Sequence, residues 1–234
     1  MKVFAKTDIG KMRNMNQDSF YISGEGETIG LYVLADGMGG YAGGEIASNL
    51  AVDSVKNYIK NNLSSIQLDK KEEILALIND AMYYANTVVH KKATENSELV
   101  EMGTTLEVCL IYDNKIFIGH VGDSRIYRIR NEIMRKLTTD HSYVEKLVKD
   151  GTITKEESYT HPKKNMLTKA IGCDLYVEPD IMVKGFQKGD IIIICSDGLT
   201  NMVPEEEIYR VIKEDIKSAN EVLISRSECK WWFR

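Results

Sequence analysis

Three aspartates in this chain stand where an apolar, strand-like run meets a chain reversal. Leu31-Tyr32-Val33-Leu34-Ala35 runs into Asp36-Gly37-Met38-Gly39-Gly40, and Ile116-Phe117-Ile118-Gly119-His120-Val121 runs into Gly122-Asp123-Ser124-Arg125. Ile191-Ile192-Ile193-Ile194-Cys195 runs into Ser196-Asp197-Gly198. Short apolar runs bounded by turn residues read as buried strands, and strands that each end in a carboxylate can gather those carboxylates in one place. Gathered carboxylates repel one another and are costly to take out of water, so they point to hard cations held by oxygen ligands. The chemistry on offer is metal-dependent.

The elements needed to position them can be read along the chain. Alternating segments at residues 3–7 and 20–23 read as strands, followed by residues 31–35. Ala47, Leu50, Ala51, Val55 and Tyr58 fall on one helical face, and Ile74, Leu77, Ile78, Ala81, Ala85 and Val88 define a second, longer helix. Strands follow at 105–112, 115–121, 125–130 and 133–137, with Asp113-Asn114 and Arg130-Asn131 as tight turns of an antiparallel meander. Helical patterns at 142–149 and 155–159 precede strands near 181–186 and 190–195, and a final helical stretch begins at Pro204, a residue suited to a first helical turn. Strands, two helices and more strands and helices, without βαβ alternation, predict an α+β fold of antiparallel sheets covered by helices.

Composition narrows the function. The 234 residues fit one domain, and a formal charge of −5 without a basic stripe argues against nucleic acid as partner. The longest strongly apolar run, residues 191–195, is too short to cross a bilayer, and the first residues lack the apolar stretch of a secretory signal. Cys109, Cys173, Cys195 and Cys229 are scattered, which suggests neither a zinc knuckle nor a disulfide framework. A cytoplasmic protein with reduced thiols and no membrane partner is expected.

Asp-Gly alone is a common turn dipeptide; the conjunction carries the inference. Arg13-Asn14-Met15-Asn16-Gln17-Asp18-Ser19 precedes Asp36-Gly37-Met38-Gly39-Gly40. Gly103-Thr104-Thr105-Leu106, Gly122-Asp123-Ser124-Arg125 and Asp140-His141-Ser142 follow, then His161-Pro162 and Asn165, and Ser196-Asp197-Gly198-Leu199 closes the series. In this order and at these separations the chain resembles the metal-dependent protein serine/threonine phosphatases of the PPM family (protein phosphatase type 2C), in their compact bacterial form, over roughly residues 1 to 226.

The resemblance implies an αββα sandwich of two antiparallel sheets flanked by helices, in a single domain spanning residues 1–234, with a mobile flap at about 142–172 that contains His161. It implies that Asp36 bridges two divalent ions with the Gly37 carbonyl as a further ligand, that Asp18 reaches the second ion largely through water, and that Asp197 binds the first. Asp36 and Asp197 are then the catalytic pair. Asp123 matches a position that helps hold a third, weaker ion, and Arg13 one that grips the substrate phosphate. The implied activity is hydrolysis of phosphoserine and phosphothreonine in proteins, opposing a bacterial serine/threonine kinase, by a monomer carrying Mn²⁺ or Mg²⁺.

The residue types agree with this. Mg²⁺ and Mn²⁺ prefer oxygen ligands and retain waters, a water shared by two ions loses a proton near neutral pH, and arginine clamps two phosphate oxygens at once. No cysteine is followed by arginine at the Cys-x5-Arg spacing of cysteine phosphatases, and there is no Gly-x4-Gly-Lys-Ser/Thr loop. His120 and His141 read first as structural histidines. Glu205-Glu206-Glu207 reads as favourable charge at a helix start, and Met12, Met15 and Met38 as packing residues.

One departure stands out. Family members end in Gly-Gly-x-Asp-Asn and a further strand, that aspartate being another ligand of the first ion, whereas residues 226–234 here end Arg226-Ser227-Glu228-Cys229-Lys230-Trp231-Trp232-Phe233-Arg234. The last strand is expected to be missing, which leaves as an alternative a catalytically impaired fold that binds phosphoproteins as a regulatory module. Tryptophan has a single codon, so Trp231-Trp232 must be TGGTGG, and Phe-Arg-stop can be TTC-AGA-TAA. Shifted by one frame from the Lys230 codon, these bases read AAT-GGT-GGT-TCA-GAT-AA, or Asn-Gly-Gly-Ser-Asp. We therefore expect a frameshift, natural or from sequencing, between about Leu223 and Cys229. A chain with that frame restored should bind Mn²⁺ more tightly and turn over faster than the chain as written, by calorimetry and phosphopeptide hydrolysis; equal values would remove this account of the C-terminus.

Overall fold

The computed structural model describes residues 1–11, 13–24 and 26–229. Its first sheet joins β1 (Asp18–Ile22), β2 (Gly30–Met38), β4 (Leu106–Tyr112), β5 (Lys115–Val121) and β8 (Asp180–Gly185) in that order, with the short β3 (Gly103–Thr104) also on β2. The second sheet has the order β7 (Ile133–Lys136), β6 (Arg125–Arg130), β9 (Ile191–Cys195), and every pairing in both sheets is antiparallel. Helices α1 (Gly40–Asn62) and α2 (Lys71–Glu95) lie between β2 and β3. The short helices α3 (Tyr143–Lys149) and α4 (Lys155–Ser158) lie between β7 and β8, and α5 (Asp197–Thr200), α6 (Glu205–Glu214) and α7 (Ala219–Cys229) follow β9.

Alternation along β4 and β5 builds the layers. Leu106, Val108, Leu110, Phe117 and Val121 belong to the core shared with Ala47, Val55, Ile78 and Met82 of α1 and α2. The intervening residues Cys109, Ile111, Ile116 and Ile118 turn the other way and pack with Ile126, Ile192 and Ile194 of the second sheet. Successive side chains of a strand face opposite sides, so two strands with both faces apolar must be covered on both. On its outer face the second sheet packs Ile129, Ile191 and Ile193 against Ile208, Val211 and Ile212 of α6 and Leu223 of α7. The result is helix, sheet, sheet, helix.

The structure departs from the sequence reading in several places. Residues 3–7 form no strand: a strand needs a neighbour, and among the described residues none pairs with this segment. The β6–β7 turn falls one residue later than expected, at Asn131 and Glu132 (φ 48° and 64°), because Arg130 is still paired with Ile133. Asp113 and Asn114 do form the β4–β5 turn, both with positive φ, as a two-residue hairpin demands. The final helical stretch is two helices, α6 and α7. Among the described residues no strand follows β9; Met12 and residues 230–234 lie outside them.

Between β7 and β8 the chain makes an excursion whose ends are tied together. The Tyr143 N–H donates to the Met166 carbonyl at 2.8 Å, and the Thr168 N–H to the His141 carbonyl at 2.8 Å. Ser142 caps α3 and Thr154 caps α4 through a reciprocal capping box with Glu157.

A charged clamp holds the point where the chain crosses from β8 to β9. Arg130 donates to both Asp190 carboxylate oxygens, at 2.7 and 2.5 Å, and to the Gly185 carbonyl at 3.1 Å. The Asp190 side chain is 1% exposed, and the Arg130 hydrogen bond holds its carboxyl below the ordinary value. A lowered folded-state pKa contributes stability above the unfolded value, about 3.9, and loses it as pH falls through the lower folded value. Asp190→Asn should therefore lower the urea midpoint by a constant amount above about pH 5, with the gap closing below about pH 4. A gap unchanged down to acid pH would show that the carboxylate charge is not what the clamp uses.

Candidate active site

Asp18 and Asp36 face each other across the β1–β2 ladder. Asp197 arrives from the other sheet, at the first position of α5 directly after β9. Asp36 stands near both, and the charge of each raises its pKa. Removal from water, then the charges of Asp18 and Asp197, push the Asp36 carboxyl up to about 10. Asp18 is raised too, chiefly by burial, against the pull of the Ser196 hydroxyl, which donates to its Oδ2 at 2.9 Å. Asp123, on the turn after β5, is pushed up to about 7 by burial, then by Asp197 and Asp140.

The backbone around Asp36 is held from two sides. Its N–H donates to Thr105 Oγ1 at 2.9 Å, and its carbonyl accepts from the Thr105 N–H and the Thr104 hydroxyl, each at 2.9 Å. Thr105 Oγ1 also meets Ser124 Oγ at 2.9 Å, which ties the Asp36 strand to the residue after Asp123. Gly37 donates its N–H to the Gln17 carbonyl at 3.0 Å. A Cβ at Gly37 would lie 2.0 Å from the Gly44 carbonyl oxygen, so only glycine lets α1 and the β1 approach close on this turn. Asn201 donates to Asp197 Oδ2 at 2.8 Å.

All the sequence-predicted site residues therefore converge: Asp18, Asp36, Gly37, Asp123 and Asp197, with the exposed Arg13 close enough to Asp18 to offset its raised pKa. A cavity of about 630 Å³ opens beside them, lined by Arg13, Asp18, Asp36 and Asp197 and, farther in, by residues 191–194. Met15 is exposed at its rim rather than packed. Asp140 does not join the cluster, because Arg125 holds both its oxygens (2.6–3.1 Å) and Lys136 adds a third donor. Nor do the two histidines. His120 is fully buried with both ring nitrogens engaged, and His141 is 10% exposed with its Nδ1 taken by a backbone N–H.

The donors suit a hard divalent cation: carboxylates at the heart, no cysteine, no free histidine. Among the described residues no group of three or more His, Cys, Asp or Glu side chains is disposed to hold an ion alone. The geometry instead offers two carboxylate pairs that share Asp36. Magnesium-type ions are commonly held by one or two carboxylates and keep several waters, so paired ligands fit them.

Known proteins share this fold. The family profile described as protein phosphatase 2C matches residues 11–225. The chain belongs to the protein phosphatase 2C family. It is thus a hydrolase of a metal-dependent family. The serine/threonine phosphatase Stp of Listeria innocua is 37% identical over 208 residues, covering 89% of this chain and 81% of that protein. The structure of the Streptococcus agalactiae serine/threonine phosphatase superposes with a TM-score of 0.86 at 34% identity, over 96% of this chain and 92% of that one. The catalytic domain of the phosphatase PstP, in complex with two manganese ions, gives a TM-score of 0.82 at 30% identity, over 96% and 90%.

Sequence reasoning placed Thr104, Thr105 and Ser196 inside motifs of this phosphatase without giving them a task. Their hydroxyls orient Asp36 and Asp18; the available signal was a hydroxyl residue at the end of an otherwise apolar strand. Thr105→Val should destabilise by about 1–3 kcal/mol, because it leaves the Asp36 amide without its acceptor. Thr105→Ser, which keeps the hydroxyl, should lose less. Urea unfolding of the pair decides this, and equal losses would assign the effect to packing.

Proposed function

We propose that this protein phosphatase 2C member removes phosphate from phosphoserine and phosphothreonine in proteins by attack of water, with Asp18, Asp36, Gly37 and Asp197 holding two Mn²⁺ or Mg²⁺ ions and Asp123 helping to hold a third, weaker one. The observation that carries this is the place of Asp36, across the ladder from Asp18 and close enough to Asp197 for both charges to raise its pKa. The name of the Listeria relative supports the substrate class, and the manganese complex of PstP supports the metal class. Bound there, divalent ions supply the charge that lets a water lose its proton near neutral pH and that screens the phosphate.

The chain's own residues supply the rest. Asp36 and Asp197 are the catalytic carboxylates. Arg13 receives the phosphate at the mouth of the cavity, where its guanidinium fork matches two phosphate oxygens. Ser196, Asn201 and Thr105 keep the carboxylates in place. With His120 and His141 already engaged, the leaving serine or threonine oxygen takes its proton from water. Residues 142–172 form a flap that shapes access, within one domain. The physiological opponent is a serine/threonine kinase. Asp18, Asp36, Asp123, Asp197 and Arg13 come from one chain, which supports a monomer, and the free thiols of Cys109, Cys173 and Cys195 support a cytoplasmic setting.

Hydrolysis of a phosphothreonine peptide should require added Mn²⁺ or Mg²⁺ and stop in excess chelator; full activity in chelator would overturn the reading. Asp36→Ala should abolish turnover. Arg13→Ala should raise KM roughly tenfold or more, as loss of a charge-assisted hydrogen bond of ~1.5–3 kcal/mol implies, with a smaller fall in kcat. An unchanged KM across several phosphopeptides would remove Arg13 from phosphate binding.

A further inference from the structure

A series of polar side chains outside the carboxylate cluster runs from the layer between the sheets to the turn that carries Asp123. Glu107 and His120 are cross-strand partners on β4 and β5, and both side chains are fully buried. His120 Nδ1 lies 2.5 Å from Glu107 Oε1, and its Nε2 lies 2.8 Å from the Thr139 carbonyl. A carbonyl only accepts, so Nε2 carries a proton and the ring is fixed at both ends. That ring stacks on His141, with centroids 4.5 Å apart and planes inclined by 29°.

His141 in turn grips Gly122 from two directions. Its Nδ1 accepts the Gly122 N–H at 3.2 Å, and its own N–H donates to the Gly122 carbonyl at 2.7 Å. A backbone N–H only donates, so Nδ1 is bare and the ring proton sits on Nε2, 3.3 Å from Asp180 Oδ1. Gly122 has φ +114°, and a Cβ there would lie 2.5 Å from Thr105 Cγ2. The turn therefore packs directly on the residue that holds Asp36, and its amide, one residue before Asp123, is fixed by a histidine side chain.

We propose that His141 is a positioning residue that sets the pose of Asp123 by accepting the Gly122 amide, and so tunes affinity for the weaker divalent ion. This rests on the reading of Asp123 as a ligand of that ion. Groups that orient a ligand from outside the coordination sphere change metal affinity roughly 10- to 100-fold when removed. The stack on His120 and the Asp180 contact fix which ring nitrogen faces Gly122. That explains why a histidine, rather than any hydrogen-bond acceptor, occupies the position.

The first test needs no metal. In the ¹⁵N-labelled full chain, a scalar coupling across the hydrogen bond between the Gly122 amide nitrogen and His141 Nδ1 should be present; its absence, with Nδ1 protonated, would overturn the proposal. The second is calorimetric titration of the full chain with Mn²⁺. Asp123→Ala should abolish the weak binding phase and leave the tight one. His141→Ala should weaken that phase roughly 10- to 100-fold, again sparing the tight one. His141→Asn, whose amide oxygen can stand where Nδ1 stands, should recover most of the loss, and His141→Gln, which reaches toward the Nε2 position, should not. Equal weak-phase affinity for the Asn and Gln variants would overturn the proposal, and that comparison decides the matter if the alanine variant fails to fold. Wild-type weak binding in every His141 variant, alongside its loss in Asp123→Ala, would overturn it while sparing the Asp123 assignment. A weak phase that survives Asp123→Ala would overturn the ligand reading, and this inference with it.

Discussion

The mutual repulsion of Asp18, Asp36 and Asp197 is the constraint that the rest of the structure answers to. Two unit charges 4 Å apart near a protein surface interact by about 4 kcal/mol, whereas burying one large aliphatic side chain contributes about 1.5–3 kcal/mol. Each close carboxylate pair therefore needs a well-filled core behind it. The core is where it should be. Asp18 and Asp36 come from the first sheet and Asp197 from the second, so the carboxylates meet only if the sheets meet. Cys109, Ile116, Ile118, Ile126 and Ile194 fill the layer that joins them. A sandwich of two sheets is thus a condition for the site rather than a scaffold beneath it.

Polar groups in the same structure sort into those that join the cluster and those kept out of it. Asp140 is buried close enough to raise the pKa of Asp123, yet the two hydrogen-bonded faces of Arg125 and the Lys136 ammonium occupy it. Its own carboxyl is accordingly held below the ordinary value despite burial. Glu107, with His120 as its partner, is pushed up to about 7 by burial. Asp140 and Glu107 each have a basic side chain bonded to them inside the fold, although Glu107 Oε2 is left without a partner. Among the described residues no cationic side chain pairs with Asp18, Asp36 or Asp197, and that difference marks the cluster as the place for an external cation.

Much of this was legible in the sequence, for local reasons. The aspartates follow apolar runs and precede glycine or serine, so strand ends and turns announce themselves. The alternation in β4 and β5 and the helical period of α1 and α2 fix which face is buried. What sequence patterns do not encode is partnership across long separations. Residues 3–7 alternate as a strand should, but alternation says nothing of a neighbour to pair with. The Thr105 and Ser196 hydroxyls, 69 and 178 residues from the groups they orient, look locally like ordinary strand-end polar residues. His141 was legible as structural, but its grip on Gly122 depends on a loop that only the fold brings near.

The tied ends of the excursion between β7 and β8 carry an evolutionary consequence. The chain leaves and returns through adjacent backbone hydrogen bonds at residues 141–143 and 166–168, and the closure entropy of such a loop grows only slowly with its length. The two helices inside it are capped by their own residues and bury no residue of their own. Lineages can therefore lengthen, shorten or recompose this segment without disturbing the carboxylates, as one changes the fitting on a tool while keeping its handle. Where this segment shapes access, as proposed above, metal chemistry and choice of target protein become separately inheritable traits, and an old hydrolytic centre can be turned to new clients through the replacement of one surface cassette.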